Sequence, residues 1–185
     1  GRFIDTFLSP SIMNGKTYGL PIAASARAMY YNKELFEKAG IAKPPATWTE
    51  LQEDARKIKA QGAFGFGLQG KEIETDVYYY YAMWSQGTEI LNKDGTSGLG
   101  TPGALEAAKL YKSMIDEGLT QPGVTSNNRE DVQNLFKQGK VGMMITAPFL
   151  SNQIKEEVPN LKYGVAALPA GPTGARGTYG VTDSI

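Results

Sequence analysis

The chain lacks histidine and cysteine altogether. Without histidine there is no Ser-His-Asp triad, no imidazole general base and no histidine-ligated metal. Without cysteine there is no thiol nucleophile, no disulfide and no thiolate-bound zinc or iron–sulfur cluster. Carboxylate, lysine or tyrosine chemistry stays open. An absence of cysteine suits a secreted protein, since nothing can mispair, although it does not by itself identify a compartment. Net charge is missing too: 19 basic side chains balance 19 acidic ones. Non-specific nucleic-acid binding needs a basic face, and zero net charge argues against that class of partner. No run of about 18 apolar residues occurs, so no helical segment is expected to insert stably in a membrane. The opening Gly1-Arg2-Phe3-Ile4-Asp5 has no apolar signal-peptide stretch.

What is present is the composition of a globular domain. The 185 residues suffice for one domain or one lobe of something larger. No internal repeat or low-complexity tract interrupts them. Strand-like and helix-like segments alternate along the chain, which predicts an α/β fold.

Punctuation is clear in several places. Tyr18 to Ala24 reads as an extended crossing through Pro21, and Ala26 to Tyr31 continues it. Asn32 is placed to cap a short helix that Gly40 ends. Thr47-Trp48-Thr49-Glu50 reads as a capping box, followed by Trp48, Leu51, Ala55 and Ile58 on one helix face. Phe64, Phe66 and Leu68 alternate with glycines, which predicts one apolar strand face. Thr75 or Asp76 is expected to cap a helix through the tyrosine run, and Glu89-Ile90-Leu91 to form a short strand. Thr101-Pro102 opens a long helix, and Asn127 or Asn128 opens another. Val141 to Thr146 is an apolar strand leading to Pro148 and a further helix. Strands follow from Tyr163 to Leu168 and from Tyr179 onward.

Some motifs point to chemistry. Gly65-Phe66-Gly67-Leu68-Gln69-Gly70 matches the dinucleotide fingerprint in letters only. That fingerprint belongs in a turn that opens a helix, and here the glycines sit within a strand, leaving room for a neighbouring element. Glu72, Glu74 and Asp76 form an acidic cluster. It fits a glycosidase pair or a cation site less well than a solvated loop at a helix start. Four consecutive tyrosines, Tyr78 to Tyr81, cannot all face one core, because successive helical side chains diverge by about 100°. At least one should line a cleft or partner surface, where a flat ring with a polar tip suits a sugar. Phe149 follows Thr146-Ala147-Pro148 at a strand-to-helix turn, either at the mouth of an α/β crevice or in the core. Ser25 and Arg27 share a strand face in an apolar stretch, lining a cleft or an exposed edge.

The ordered set of short strings resembles the extracellular solute-binding proteins of ABC importers, in the sugar-binding branch that includes maltodextrin binders. The strings are Gly15-Lys16-Thr17-Tyr18-Gly19-Leu20-Pro21-Ile22-Ala23, Tyr30-Tyr31-Asn32-Lys33-Glu34-Leu35-Phe36, and Pro44-Pro45-Ala46-Thr47-Trp48-Thr49-Glu50-Leu51. Further on come Phe136-Lys137-Gln138-Gly139-Lys140-Val141-Gly142-Met143, Thr146-Ala147-Pro148-Phe149, and Tyr163-Gly164-Val165-Ala166-Ala167-Leu168-Pro169.

The resemblance implies one α/β lobe of a two-lobed periplasmic-binding-protein-like fold, a mixed sheet flanked by helices, with ligand held between lobes. It implies that residues 1–19 end a missing amino-side lobe and that residues 20–185 are the carboxyl-side lobe. In that lobe residues 20–24 are the crossing strand and 180–185 the returning strand. It further implies a sugar or polyol ligand, an ABC permease as partner and no cofactor. The location is periplasmic or extracellular, with a lipid anchor conceivable in the parent chain. Carried over position by position, the ligand-binding residues are Ser25, Arg27, Gln69, Lys71, Phe149 and Tyr179. Ser25 stands where maltodextrin binders have an acid, which argues against maltose itself. The Glu-Pro-Tyr stretch of those binders is absent near Gln69-Gly70-Lys71. The lobe alone is expected to bind weakly. Two other readings share these features: a carbohydrate-active enzyme using carboxylates such as Glu72 and Asp76, and the ligand-binding unit of a chemosensor.

Overall fold

A computed structural model describes residues 2–72 and 74–185. Helix α1 (Asp5–Leu8) runs through a single 3-10 turn into strands β1 (Ile12–Met13) and β2 (Lys16–Thr17). These two pair as a hairpin across Asn14-Gly15, whose φ angles of 51° and 73° are the left-handed pair that a tight hairpin turn demands. Then follow β3 (Pro21–Ala26), β4 (Ala28–Asn32), α2 (Lys33–Lys38), α3 (Trp48–Ala60), β5 (Phe64–Gly67), α4 (Thr75–Ser85) and α5 (Pro102–Asp116). The chain continues with α6 (Arg129–Lys137), β6 (Val141–Thr146), α7 (Phe149–Glu157), β7 (Tyr163–Ala166) and β8 (Gly180–Ser184).

The central sheet has four strands in the order β5-β6-β4-β7. Only β5 and β6 run parallel; β4 is antiparallel to both β6 and β7. The sheet is therefore mixed, as the family resemblance implies. Strands β3 and β8 pair antiparallel in a separate ribbon. The segments read as crossing and returning strands thus lie side by side, and the expected single extended run breaks at Arg27.

Two apolar clusters cover the sheet. One gathers Met29, Phe66, Met143 and Ile145 with Leu51, Ala55 and Ile58 of α3, Tyr78 and Tyr81 of α4, and Ala107, Tyr111 and Met114 of α5. The other gathers Tyr30, Val141 and Met144 with Val132 and Phe136 of α6 and Leu150 and Ile154 of α7. Alternation of facing side chains along β4 and β6 splits neighbours such as Met29 and Tyr30 between them. The expected common face of Phe64, Phe66 and Leu68 does not form. Phe64 packs with the second cluster, whereas Phe66 and Leu68 belong to the first. Strand β6 follows suit, since Val141, the partner of Phe64, is in the second cluster and Met143, the partner of Phe66, is in the first.

The glycines of β5 set how closely helices approach. A Cβ on Gly65 would lie 2.4 Å from Ala55 Cα, and one on Gly67 would lie 2.5 Å from a Val132 methyl. The glycine pattern serves helix packing on both faces and opens no phosphate loop.

Local caps account for the helix starts. Asn32 accepts from the amides of Glu34 and Leu35, both at 3.0 Å. Thr47 accepts from the Glu50 amide at 3.2 Å, but the Glu50 carboxylate reaches one residue further back than expected, to the amide of Ala46 at 2.6 Å. Asn128 and Asp131 form a reciprocal capping box on α6. Helix α4 departs from expectation. Its cap position is Glu74, with φ of 72°, and neither Thr75 nor Asp76 caps it. Glu89-Ile90-Leu91 forms no strand; Leu91 makes only an isolated bridge with Ser97.

Candidate functional site

The topology brings one set of chain ends together. Parallel β5 and β6 end where antiparallel β4 begins, since Ala28 pairs with Thr146 and Gly67 with Met144. Crevices beyond the carboxyl ends of sheet strands are where α/β folds hold ligands. Five side chains meet there, each from an element boundary. Arg27 precedes β4, Glu74 precedes α4, Arg129 opens α6, Phe149 opens α7 and Tyr179 precedes β8.

Glu74 is the centre of this group. Arg27 donates to both carboxylate oxygens, from Nη2 to Oε1 and from Nε to Oε2. Arg129 Nη1 donates to Oε1 at 3.3 Å. The Arg27 and Glu74 side chains are nearly inaccessible, at 4% and 10% exposed, whereas Arg129 is 35% exposed. The third arm of Arg27 donates from Nη1 to Ser25 Oγ at 3.0 Å. With its guanidinium so committed, Arg27 holds its surroundings in place and does not present a free fork to a sugar.

Each guanidinium also lies over a ring. Arg27 Cζ is 5.5 Å from the Tyr179 ring centre, and Arg129 Cζ is 4.9 Å from that of Phe149. Both distances fall within cation–π range. The two rings are each 37% exposed, so each keeps surface for a further contact. Supporting bonds fix the frame. Thr178 Oγ1 donates to the Arg27 carbonyl at 2.7 Å, tying the segment before β8 to the segment before β4. Gln133 Nε2 donates to Thr146 Oγ1 at 2.8 Å, both buried, which locks α6 to the end of β6. Gln121 clasps the end of β5, accepting from the Leu68 amide at 3.0 Å and donating to its carbonyl at 2.5 Å.

The charge pattern has a physical logic. The first residues of α4, α6 and α7 adjoin one another here, and helix N-termini carry partial positive charge. Glu74 supplies the anion that these ends and the two guanidiniums favour. Its left-handed backbone, and that of Glu72 at φ of 65°, is strained for a side-chain-bearing residue. The Glu72 carboxylate accepts from Asn128 Nδ2 at 3.3 Å and pairs with Lys71 at 3.5 Å.

The tyrosine run divides as its geometry requires. Tyr78 and Tyr81 are buried, Tyr79 donates to the Ala104 carbonyl at 2.8 Å, and Tyr80 is half-buried. Partial burial, with the adjacent Asp76 carboxylate and its hydrogen bond, pushes the Tyr80 hydroxyl above its ordinary range; Tyr179 adds to the effect. Tyr80 therefore neighbours the Tyr179 side of the site and makes a tilted contact with Trp84, with centroids 5.9 Å apart and planes at 49°.

Of the six residues singled out from sequence, Ser25, Arg27, Phe149 and Tyr179 come together in one constellation. Gln69 is buried beside the Gln121 clasp, and Lys71 is exposed in its pair with Glu72. Two further residues complete the constellation. In the sequence Glu74 reads as one of a solvated acidic cluster, and Arg129 belongs to no motif. A signal existed for Arg129, because a cation at the first position of a helix opposes the macrodipole and needs a local reason.

Polar and aromatic residues are thus collected at the strand ends of a two-faced α/β architecture. A family model described as bacterial extracellular solute-binding protein matches residues 4–183, and the chain belongs to that family. It is 87% identical, over its whole length, to a binding protein of Brucella abortus (strain 2308), of which it covers 46%. It is 30% identical to the maltodextrin-binding protein MdxE of Bacillus subtilis (strain 168), over 93% of the chain and 42% of that protein. Among solved structures, maltose-bound T. maritima MalE3 superimposes with a TM-score of 0.89 at 31% identity, over 98% of this chain and 48% of the other. The chain thus spans about half the length of the relatives it matches. No helix among the described residues is long and apolar enough to cross a membrane.

Proposed function

We propose that this face binds a sugar or related polyhydroxy solute and that the protein delivers it, chemically unchanged, to an ABC permease. The observation that carries the reading is the pair of half-exposed rings, Phe149 and Tyr179, flanking a carboxylate already matched by guanidiniums. Sugar rings offer apolar C–H faces to aromatic rings and hydroxyls to polar edges. The maltodextrin and maltose named for two relatives support the same class.

On this reading an amino-side lobe supplies the other wall of the cleft. Closure then buries the ligand and shifts the population toward the form a permease accepts. The strands β3 and β8 are the proposed crossings between lobes, with residues 1–19 belonging to the far side. Ser25 and Arg129 are the proposed hydroxyl contacts, and Gln69 and Lys71 border the site. Work takes place outside the cytoplasm, with or without a lipid anchor.

The test is thermal unfolding of the full-length protein against mono- and oligosaccharides and polyols, with each solute recovered afterwards. A solute at 100 times its Kd stabilises the folded state by about 2.7 kcal/mol, a readily visible shift. A shift with unaltered solute supports the proposal. A shift with conversion of the solute would establish an enzyme instead, and no shift with any member would remove the sugar assignment.

A further inference from the structure

Glu74 does more than balance charge. Among the described residues its carboxylate is the one group that both guanidiniums share, and each guanidinium lies over a different ring. Arg27 connects it to Tyr179, and Arg129 connects it to Phe149. The rings sit on chain segments that are distant in sequence, before β8 and at the start of α7. Aromatic side chains at half-exposed positions have little packing to fix their orientation. A cation held from behind over one face restricts the ring and leaves the rest of its surface available.

We propose that Glu74 is a positioning residue that sets the orientation of both aromatic platforms at once, through two guanidinium arms. It touches no ligand itself, being almost inaccessible. Its unusual backbone fits this role. A left-handed cap that makes no capping hydrogen bond gives up a helix-stabilising contact, and the side chain is turned to the arginines instead. The two platforms then act as one unit, and the ligand suited to them carries two stacking faces. That points to a solute of at least two sugar rings over a single ring or a linear polyol. This last step rests on the sugar-binding reading; the coupling of the rings does not.

The experiment separates the two. The full-length protein is labelled with fluorinated phenylalanine and tyrosine, and the Phe149 and Tyr179 resonances are assigned by substitution. In the ligand-free protein, Glu74→Gln should shift or broaden both resonances together. Arg129→Gln, which cuts one arm, should move Phe149 and leave Tyr179 in place. It also serves as the test if the Glu74 variant fails to fold. Movement of neither ring in Glu74→Gln, or of Tyr179 in Arg129→Gln as strongly as Phe149, would overturn the proposal.

Binding of maltose, cellobiose, sucrose and trehalose is then compared with that of glucose and mannitol. For any disaccharide that binds, Glu74→Gln should weaken binding by about tenfold through lost preorganisation. The effects of Phe149→Ala and Tyr179→Ala should be non-additive in the parent and additive in Glu74→Gln. Additivity in both backgrounds would refute the positioning role even if sugars bind. Coupled ring resonances with no binding of any sugar would uphold it while removing the sugar assignment.

Discussion

The guanidinium of Arg129 lies 4.9 Å from the centre of the Phe149 ring, and both belong to the first turn of their helices. One face of the ring is thereby occupied by a cation that is itself hydrogen-bonded to Glu74 at 3.3 Å. The ring is 37% exposed, so part of its surface stays open to solvent. This contact joins the apolar and the charged parts of the site, and it brings the first turns of α6 and α7 together.

Phe149→Ala should weaken sugar binding by about 1–2 kcal/mol, roughly tenfold in Kd, because a stacking face is lost. The thermal midpoint should change little, since the ring is half-exposed and outside both core clusters. Titration calorimetry and thermal unfolding on the same samples check both parts. Undiminished affinity would remove Phe149 from the site.

Gly65→Ala should destabilise the fold by about 1–3 kcal/mol through overpacking. The new Cβ would meet the Cα, Cβ and carbonyl oxygen of Ala55, and the two backbone atoms cannot be trimmed away. Adding Ala55→Gly should accordingly fail to restore the thermal midpoint. Full restoration would show that only the alanine methyl is crowded.

Thr47→Ala should cost about 1 kcal/mol, the usual value of an N-cap hydroxyl. The Glu50 amide loses its acceptor, while the Glu50 carboxylate keeps its bond to Ala46 at 2.6 Å. Thr47→Ser should retain most of the stability. Denaturant midpoints at equal slope distinguish the two.

Alkaline pH should unfold the protein through its buried phenols. Burial is the main cause that raises the hydroxyls of Tyr78, Tyr81 and Tyr111 above their ordinary range. Tyr78 and Tyr111 also donate, to the carbonyls of Ile145 and Tyr78 respectively. In the unfolded chain these groups ionise near pH 10, so the unfolded state binds fewer protons above that pH. Their contribution is complete below about pH 10 and falls as pH rises toward the folded-state values. Phenolate absorbance followed beside circular dichroism should show these tyrosines ionising only with loss of helix. Ionisation of every tyrosine with the helices intact would contradict their burial.

Much of the fold could be read from the chain because its determinants are local. The caps at Asn32, Thr47 and Thr101 each involve residues within four positions of one another. The apolar faces of α3 and β6 recur at the expected spacing. The Asn14-Gly15 turn is equally local, since both residues take the left-handed backbone that a tight hairpin favours. Phe149 could be placed at the crevice because a strand, a proline and a helix start follow each other directly. Glu74 could not be placed, because its partners are Arg27 and Arg129, far away along the chain on either side. A carboxylate beside two other acids reads as solvated until the fold delivers the cations. The face of Phe64 departs from simple alternation because β5 and β6 change phase together, which only their pairing reveals.

The central claim is that Phe149 and Tyr179 form a capture site for an unaltered sugar. Its most direct test is calorimetric titration of the full-length protein with the sugar that gives the largest thermal shift, repeated on Phe149→Ala and Tyr179→Ala. The solute is recovered and analysed at the end of each run. Saturable one-site binding, weakened by either substitution with the sugar unchanged, is the predicted result. Undiminished binding in both variants, or recovery of a converted sugar, would contradict it.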